Sequence, residues 1–143
     1  MFQILITSLA AGMISQSIKP LIKSNQAKFD RQSFFSYSGM PSSHAAMVVS
    51  LATIVGLIQG FNSPLFAVCL IFGLLVVRDA LGLRRYLGQY NEIINNLIKN
   101  SKDNFAPNRA FPELAEKIGH TAAQIIAGSL LGFLISLASY YIF

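Results

Sequence analysis

Residues 45–81 read AAMVVSLATIVGLIQGFNSPLFAVCLIFGLLVVRDAL, and the reading of this stretch decides the fold. Two apolar runs flank the link Gly60-Phe61-Asn62-Ser63-Pro64. Gly, Asn, Ser and Pro gathered in five positions mark a tight turn. The run from Ala45 to Phe61 has about 17 residues. The run from Pro64 to Leu81 carries charge only at Arg78 and Asp79, near its end. Each can cross a hydrocarbon layer of ~30 Å, the second with its charged end at the interface. The stretch therefore predicts a helical hairpin set in a membrane.

Two further runs of this kind lie outside the hairpin. Phe2 to Ile18 has about 17 residues and Ala122 to Phe143 about 22. The whole chain of 143 residues is 53% hydrophobic and 12% charged. A soluble domain carries about a quarter charged residues, so this composition predicts an integral membrane protein with one domain, residues 1–143. No Lys or Arg precedes Lys19. The N-terminal run thus lacks the basic segment of a signal peptide and is read as a retained helix. The single Cys69 sits in an apolar run and forms neither an intrachain disulfide nor a metal cluster.

The charges then orient the spans. Lys19, Lys23, Lys28 and Arg31 lie between the first and second runs. The other seven basic residues, from Arg78 to Lys117, lie between the end of the third and the start of the fourth. All six acidic residues fall in the same two segments. With four spans, both segments face one side, and the positive-inside rule makes that side cytoplasmic. The net charge of +5 therefore reports topology and anionic lipid. There is no Trp and no basic stripe interleaved with aromatics, which argues against a nucleic-acid partner.

The second charged segment has structure of its own. Leu83, Tyr86, Leu87, Tyr90, Ile93, Ile94, Leu97 and Ile98 recur at helical spacing, with Arg85, Gln89, Glu92, Asn96 and Lys99 opposite. This predicts an amphipathic helix in the membrane interface. Ser101 to Arg109 reads as a polar loop, and Phe111 to Ile118 as a short helix between Pro112 and Gly119. Thr121-Ala122-Ala123-Gln124 fits a capping box. Gly128 and Gly132 form a GxxxG pair, which serves either packing within the chain or a dimer seam. The fold class expected is all-α: a polytopic membrane helical bundle of about four transmembrane helices plus an interfacial amphipathic helix.

Chemistry gathers at the charged ends of these spans. Gly39-Met40-Pro41-Ser42-Ser43-His44 is turn-prone and runs into the second span. Serine suits an N-cap, so His44 belongs in the first turn of a helix, where backbone N–H groups favour a phosphate. Lys19 ends the first span, Arg84 and Arg85 follow Asp79 at the end of the third, and His120 precedes the fourth. If the spans bundle, two histidines and several cations converge at the depth of a lipid headgroup phosphate. One imidazole can attack phosphorus, a second can protonate the leaving alkoxide, and cations can hold the phosphoryl oxygens. Such chemistry needs no metal and no cofactor. Each residue also has a plainer reading. Lys19 serves equally as a topology charge, Arg84 and Arg85 as lipid contacts, Asp79 as a salt-bridge partner of Arg78, Arg84 or Arg85, and Gln124 as a helix cap.

Ser38-Gly39-Met40-Pro41-Ser42-Ser43-His44, Asp79-Ala80-Leu81-Gly82-Leu83-Arg84-Arg85 and Gly119-His120-Thr121 together resemble the divergent branch of the type 2 phosphatidic acid phosphatases. That small membrane family is described as acid phosphatase / vanadium-dependent haloperoxidase-related. The resemblance implies a phosphohistidine mechanism with His120 as nucleophile and His44 as acid. Lys19, Ser42, Ser43, Arg84 and Arg85 would hold the substrate phosphate, with Asp79 and Gln124 in support. Ser43 stands where the superfamily has glycine. Gln124 stands where it has an acid, and Glu116 is the nearest carboxylate the other way along the chain. The reading is a lipid phosphatase acting on a phospholipid at the cytoplasmic face of the inner or plasma membrane. The alternative is a weak or inactive relative that binds phospholipid or anions, or assists assembly. Four spans are few beside the superfamily's six helices, which leaves room for a homodimer with the GxxxG face as one candidate seam.

Overall fold

A computed structural model describes residues 2–22, 39–100, 114–116 and 119–143. These residues form five α-helices and no strand: α1 (Phe2–Ile18), α2 (Ser43–Gln59), α3 (Pro64–Leu81), α4 (Leu83–Asn100) and α5 (Ala122–Ile142). A 3-10 turn, Lys19–Leu21, extends α1. The chain is an all-α membrane protein. Residues 2–21, the apolar part of α3 and α5 are long and apolar enough to cross a membrane, while α2 is shorter at 17 residues. Their outer faces, including Leu5, Phe72, Leu75 and Leu130, are exposed, as lipid contact requires.

The hairpin forms as its residues dictate. Gly60 closes α2 at φ 88°, a left-handed value suited to glycine. Ser63 caps α3 by accepting from the Phe66 N–H, and Pro64 takes the first turn. Phe61 folds back over Gly56 and meets Phe66 edge-on at 5.2 Å.

Helix α2 is the centre, with α1, α3 and α5 packed on it and α1 also touching α5. The α2–α5 contact is the closest. A Cβ at Gly128 would collide with the Ser42 carbonyl, and one at Gly132 with the Ala46 carbonyl. The GxxxG pair is therefore spent inside the chain, which removes it as a dimer seam; small residues let two backbones approach. Hydroxyls lace the same seam. Ser50 and Ser136 share a hydrogen bond of 2.8 Å, and Ser136 also donates to the Ser50 carbonyl at 3.0 Å. Toward α1, Thr7 and Ser139 hydroxyls lie 2.7 Å apart.

Helix α4 starts after a break at Gly82, and its apolar residues Leu83, Tyr86, Leu87, Tyr90, Ile93 and Leu97 are exposed. This is the face expected to meet the interface. Besides Gly88, its buried residue is polar: Asn95 donates to the Leu114 carbonyl at 2.9 Å and accepts from the Leu114 N–H at 3.0 Å. Asn91 donates to the Ala115 carbonyl at 2.6 Å. The short helix expected over Phe111–Ile118 is not formed at residues 114–116, because their backbone groups bond to asparagines of α4 instead of to each other. The remainder of that segment, the Ser101–Arg109 loop, and Lys23, Lys28 and Arg31 lie outside the described residues.

Candidate active site

The end of α1, the starts of α2 and α5, and the end of α3 meet at one end of the bundle. Ser42 is the N-cap of α2, and its side chain accepts from the Ala45 N–H. Its own N–H donates to the Gln124 carbonyl at 3.0 Å. That bond ties the first turn of α2 to the first turn of α5. Gly119 passes so close to the start of α4 that a Cβ would strike the Arg85 backbone. The next residue, His120, then donates its backbone N–H to the Ala80 carbonyl of α3 at 3.2 Å. Four helices are thus joined around two histidines.

The His44 and His120 rings lie 6.3 Å apart between centroids, tilted by 55°. His120 is 3% exposed. Its Nδ1 is 3.2 Å from Gln124 Oε1. The same oxygen accepts the Thr121 N–H at 3.0 Å, within a complete capping box. A backbone N–H can only donate, so this atom of Gln124 is the carbonyl oxygen. The imidazole must therefore donate through Nδ1–H, which leaves the Nε2 lone pair as the neutral ring's basic site. Among the described residues Nε2 is buried with no hydrogen-bond partner. A buried acceptor without a partner is costly, and a group bound at this point would satisfy it.

Burial holds the His120 imidazole below its ordinary range. The Gln124 hydrogen bond opposes this, and the positive charges of Lys19, His44 and Arg84 reinforce it. Lys19, in the turn after α1, is 7% exposed. Its charge and that of Arg84 act on both imidazoles. Arg84 pairs through Nε with Asp79 Oδ2 at 2.7 Å, and both side chains are partly exposed. Arg85 is exposed and is not among the charges that act on either histidine. Ser43 donates to Gln16 Oε1 at 2.6 Å, and Ser42 is wholly buried. So His44, His120, Lys19, Arg84, Asp79 and Gln124 come together, Ser42 and Ser43 hold the turn beneath them, and Arg85 stays exposed outside that set. Glu116 accepts from Asn95 at 2.9 Å, so its carboxylate is engaged on α4.

The sequence places Gln16 with Lys19 at the end of the first span but assigns it no role, and it gives no sign of the Asn95 clamp. Gln16 had a signal in hand, since it lies one turn before Lys19 at the charged end of the helix. Asn95 had none, because it sits in a polar run of α4.

The chain is 37% identical over 149 aligned residues to Uncharacterized membrane protein YuiD of Bacillus subtilis (strain 168), covering 97% of this chain and 94% of the relative. No solved structure matches. The Divergent PAP2 family matches residues 2–135, a range that contains every residue of the cluster. The chain belongs to that family.

Proposed function

We propose that the chain is a lipid phosphatase, a hydrolase that cleaves a phosphomonoester or pyrophosphate from a lipid headgroup at the cytoplasmic face through a phosphohistidine. The observation that supports it most is the meeting of His44 and His120, with the His120 Nε2 lone pair buried and unpartnered among the described residues. In the first step Nε2 attacks phosphorus. The bond from phosphorus to the headgroup oxygen breaks, and His44 gives its proton to the departing alkoxide. In the second step His44 takes a proton from water, whose oxygen attacks phosphorus and releases phosphate and free His120. Lys19 and Arg84 stabilise the equatorial phosphoryl oxygens, and the first turn of α2 adds the anion preference of a helix start. A neutral His120 below its ordinary pKa range keeps the lone pair available near pH 7.

Gln124 holds the tautomer but brings no charge to steady the imidazolium. That neutrality favours the second reading, a phospholipid- or anion-binding membrane protein with weak turnover. Purified protein separates the two. Release of phosphate from phosphatidic acid or phosphatidylglycerophosphate, lost in both His44→Ala and His120→Ala, supports the phosphatase. Turnover that survives both substitutions overturns it. Vanadate bound at the histidine pair with no lipid phosphate released supports the second reading.

A further inference from the structure

Helix α4 turns an apolar side outward, where Tyr86, Leu87, Tyr90 and Ile93 are exposed. Its other side holds Arg84, Gly88, Asn91 and Asn95, set four, three and four residues apart on one helical face. Gly88 and Asn95 are buried, and Arg84 and Asn91 are half-buried. Against this side lie residues that precede His120. Asn95 holds Leu114 at both of its backbone groups, donating to the carbonyl at 2.9 Å and accepting the N–H at 3.0 Å. The same amide nitrogen donates to Glu116 Oε1 at 2.9 Å, and Asn91 donates to the Ala115 carbonyl at 2.6 Å. Toward the start of α4, Gly119 lies on the Arg85 backbone, closer than any Cβ would permit. The next residue is His120.

A side chain that bonds the N–H and the C=O of one residue fixes both its place and its rotation, which a single bond cannot do. Asn95 is 3% exposed, so water does not stand ready to replace Leu114 as its partner. The two attachments are also closely linked. Asn95 and Arg85 are ten residues apart, ~15 Å along a helix. The five steps from Leu114 to Gly119 reach at most ~17 Å. A shift at Asn95 therefore passes to Gly119 with only a few ångströms of slack. His120 itself is held by the Ala80 carbonyl and by Gln124. Those bonds fix it from α3 and α5, and the clamp fixes how the chain arrives from α4.

We propose that Asn95 is a positioning residue for His120: by clamping Leu114 to α4 it sets where the imidazole stands against His44. The proposal rests on the reading of His120 as the group that meets phosphate, and it adds α4 as the scaffold on which that group is registered.

The chain has two histidines, so imidazoles labelled with nitrogen-15 give two NMR signals in detergent, and His44→Asn assigns them. In wild type the His120 ring should be the neutral Nδ1–H form and titrate below 6.5, because burial is the largest influence on it, with the charges of Lys19, His44 and Arg84 adding to it. Asn95→Ala should move that titration up toward 6.5, mix the two tautomers and weaken vanadate binding by about tenfold or more. Ser136→Ala is the control. It loosens the α2–α5 seam ~24 Å along α5 from His120 and should leave the His120 signal in place. A role in stability alone would lower thermal stability in both variants without moving that signal. If Asn95→Ala yields no folded protein, Asn91→Ala removes one bond of the same attachment and should shift the signal in the same direction by less. An unmoved signal in Asn95→Ala, or in Asn91→Ala where only that variant folds, overturns the proposal, as does equal movement in Ser136→Ala. The signal needs no substrate. Absence of lipid-phosphate turnover in wild type would therefore remove the phosphatase reading and leave the clamp to be decided by the imidazole alone.

Discussion

Helix α2 has two unlike flanks. Toward α5 it offers Ser42, Ala46 and Ser50, against which Gly128, Gly132 and Ser136 come to backbone distance. Toward α3 it offers Val48, Ala52 and Leu57, and the neighbouring helix leaves a cavity. In a membrane no hydrophobic drive pulls apolar helices together, so a tight seam needs small residues and hydrogen bonds, while an apolar flank can stay open to lipid. The two histidines stand at the head of the tight seam. The structure thus sets close packing and open space on neighbouring flanks of a single helix.

The sharpest way to break that contrast is to put bulk into each flank. Gly132→Leu drives a side chain into the Ala46 backbone, which cannot swing aside as a side chain would. We expect a loss at or above the ~3 kcal/mol end of overpacking costs, read as little or no monodisperse protein in detergent. Gly73→Ala adds a methyl at ordinary contact distance and should stay within ~0.5 kcal/mol of wild type. Equal losses for the two would erase the distinction.

Gln124 tests how the tight seam serves the site. Its carbonyl accepts the Ser42 N–H, and its side chain closes the Thr121 capping box while fixing His120. Gln124→Ala should cost ~1 kcal/mol in stability from the cap and weaken vanadate binding, because either imidazole nitrogen can then carry the proton. Gln124→Glu keeps both hydrogen bonds and adds the charge that steadies an imidazolium. It should restore vanadate affinity and raise turnover above wild type. A Glu variant no better than Ala in both assays would show that Gln124 acts only as a cap.

Much of this frame was legible in residue order. The four apolar runs became helices at nearly their expected limits, because turn residues and caps such as Ser42, Ser63 and Thr121 act locally. The convergence of His44 and His120 followed from hairpin topology. What escaped was non-local. Nothing in the run of α4 distinguishes Asn95, which binds the Leu114 backbone and keeps that segment from helix. Arg84 and Arg85 are neighbours of one chemical type, and only the turn after Gly82 decides which faces the histidines. Ser50 and Ser136 look like ordinary small residues of apolar spans until the helices are set side by side.

Removing one hydroxyl from the seam is a finer probe. Ser136→Ala loses its bonds to Ser50 and to the Gly132 carbonyl. Hydrogen bonds between transmembrane helices average ~0.6 kcal/mol and reach ~1.7. We expect a shift in that range by thermal unfolding in detergent, and a smaller one for Thr53→Val on the open flank, where no partner is lost.

The gentlest probe is a proton, because the tight seam is also what buries His120. Its pKa in the folded chain lies below the ordinary 6.5, with burial as the largest cause and the Gln124 hydrogen bond acting against it. Above pH ~6.5 the ring is neutral folded or unfolded, and this group contributes its full share of stability. As pH falls below that value the unfolded chain takes up a proton that the folded one resists, so stability declines until pH passes the folded pKa. Carboxylates and His44 titrate as well, so the measurement is a difference. Wild type should lose thermal stability between pH 7 and 5 more steeply than His120→Asn. Saturating vanadate should flatten the wild-type slope, since an anion beside the ring favours its charged form. Parallel slopes with and without vanadate would place the bound anion away from His120, and the tight flank would then serve the fold alone.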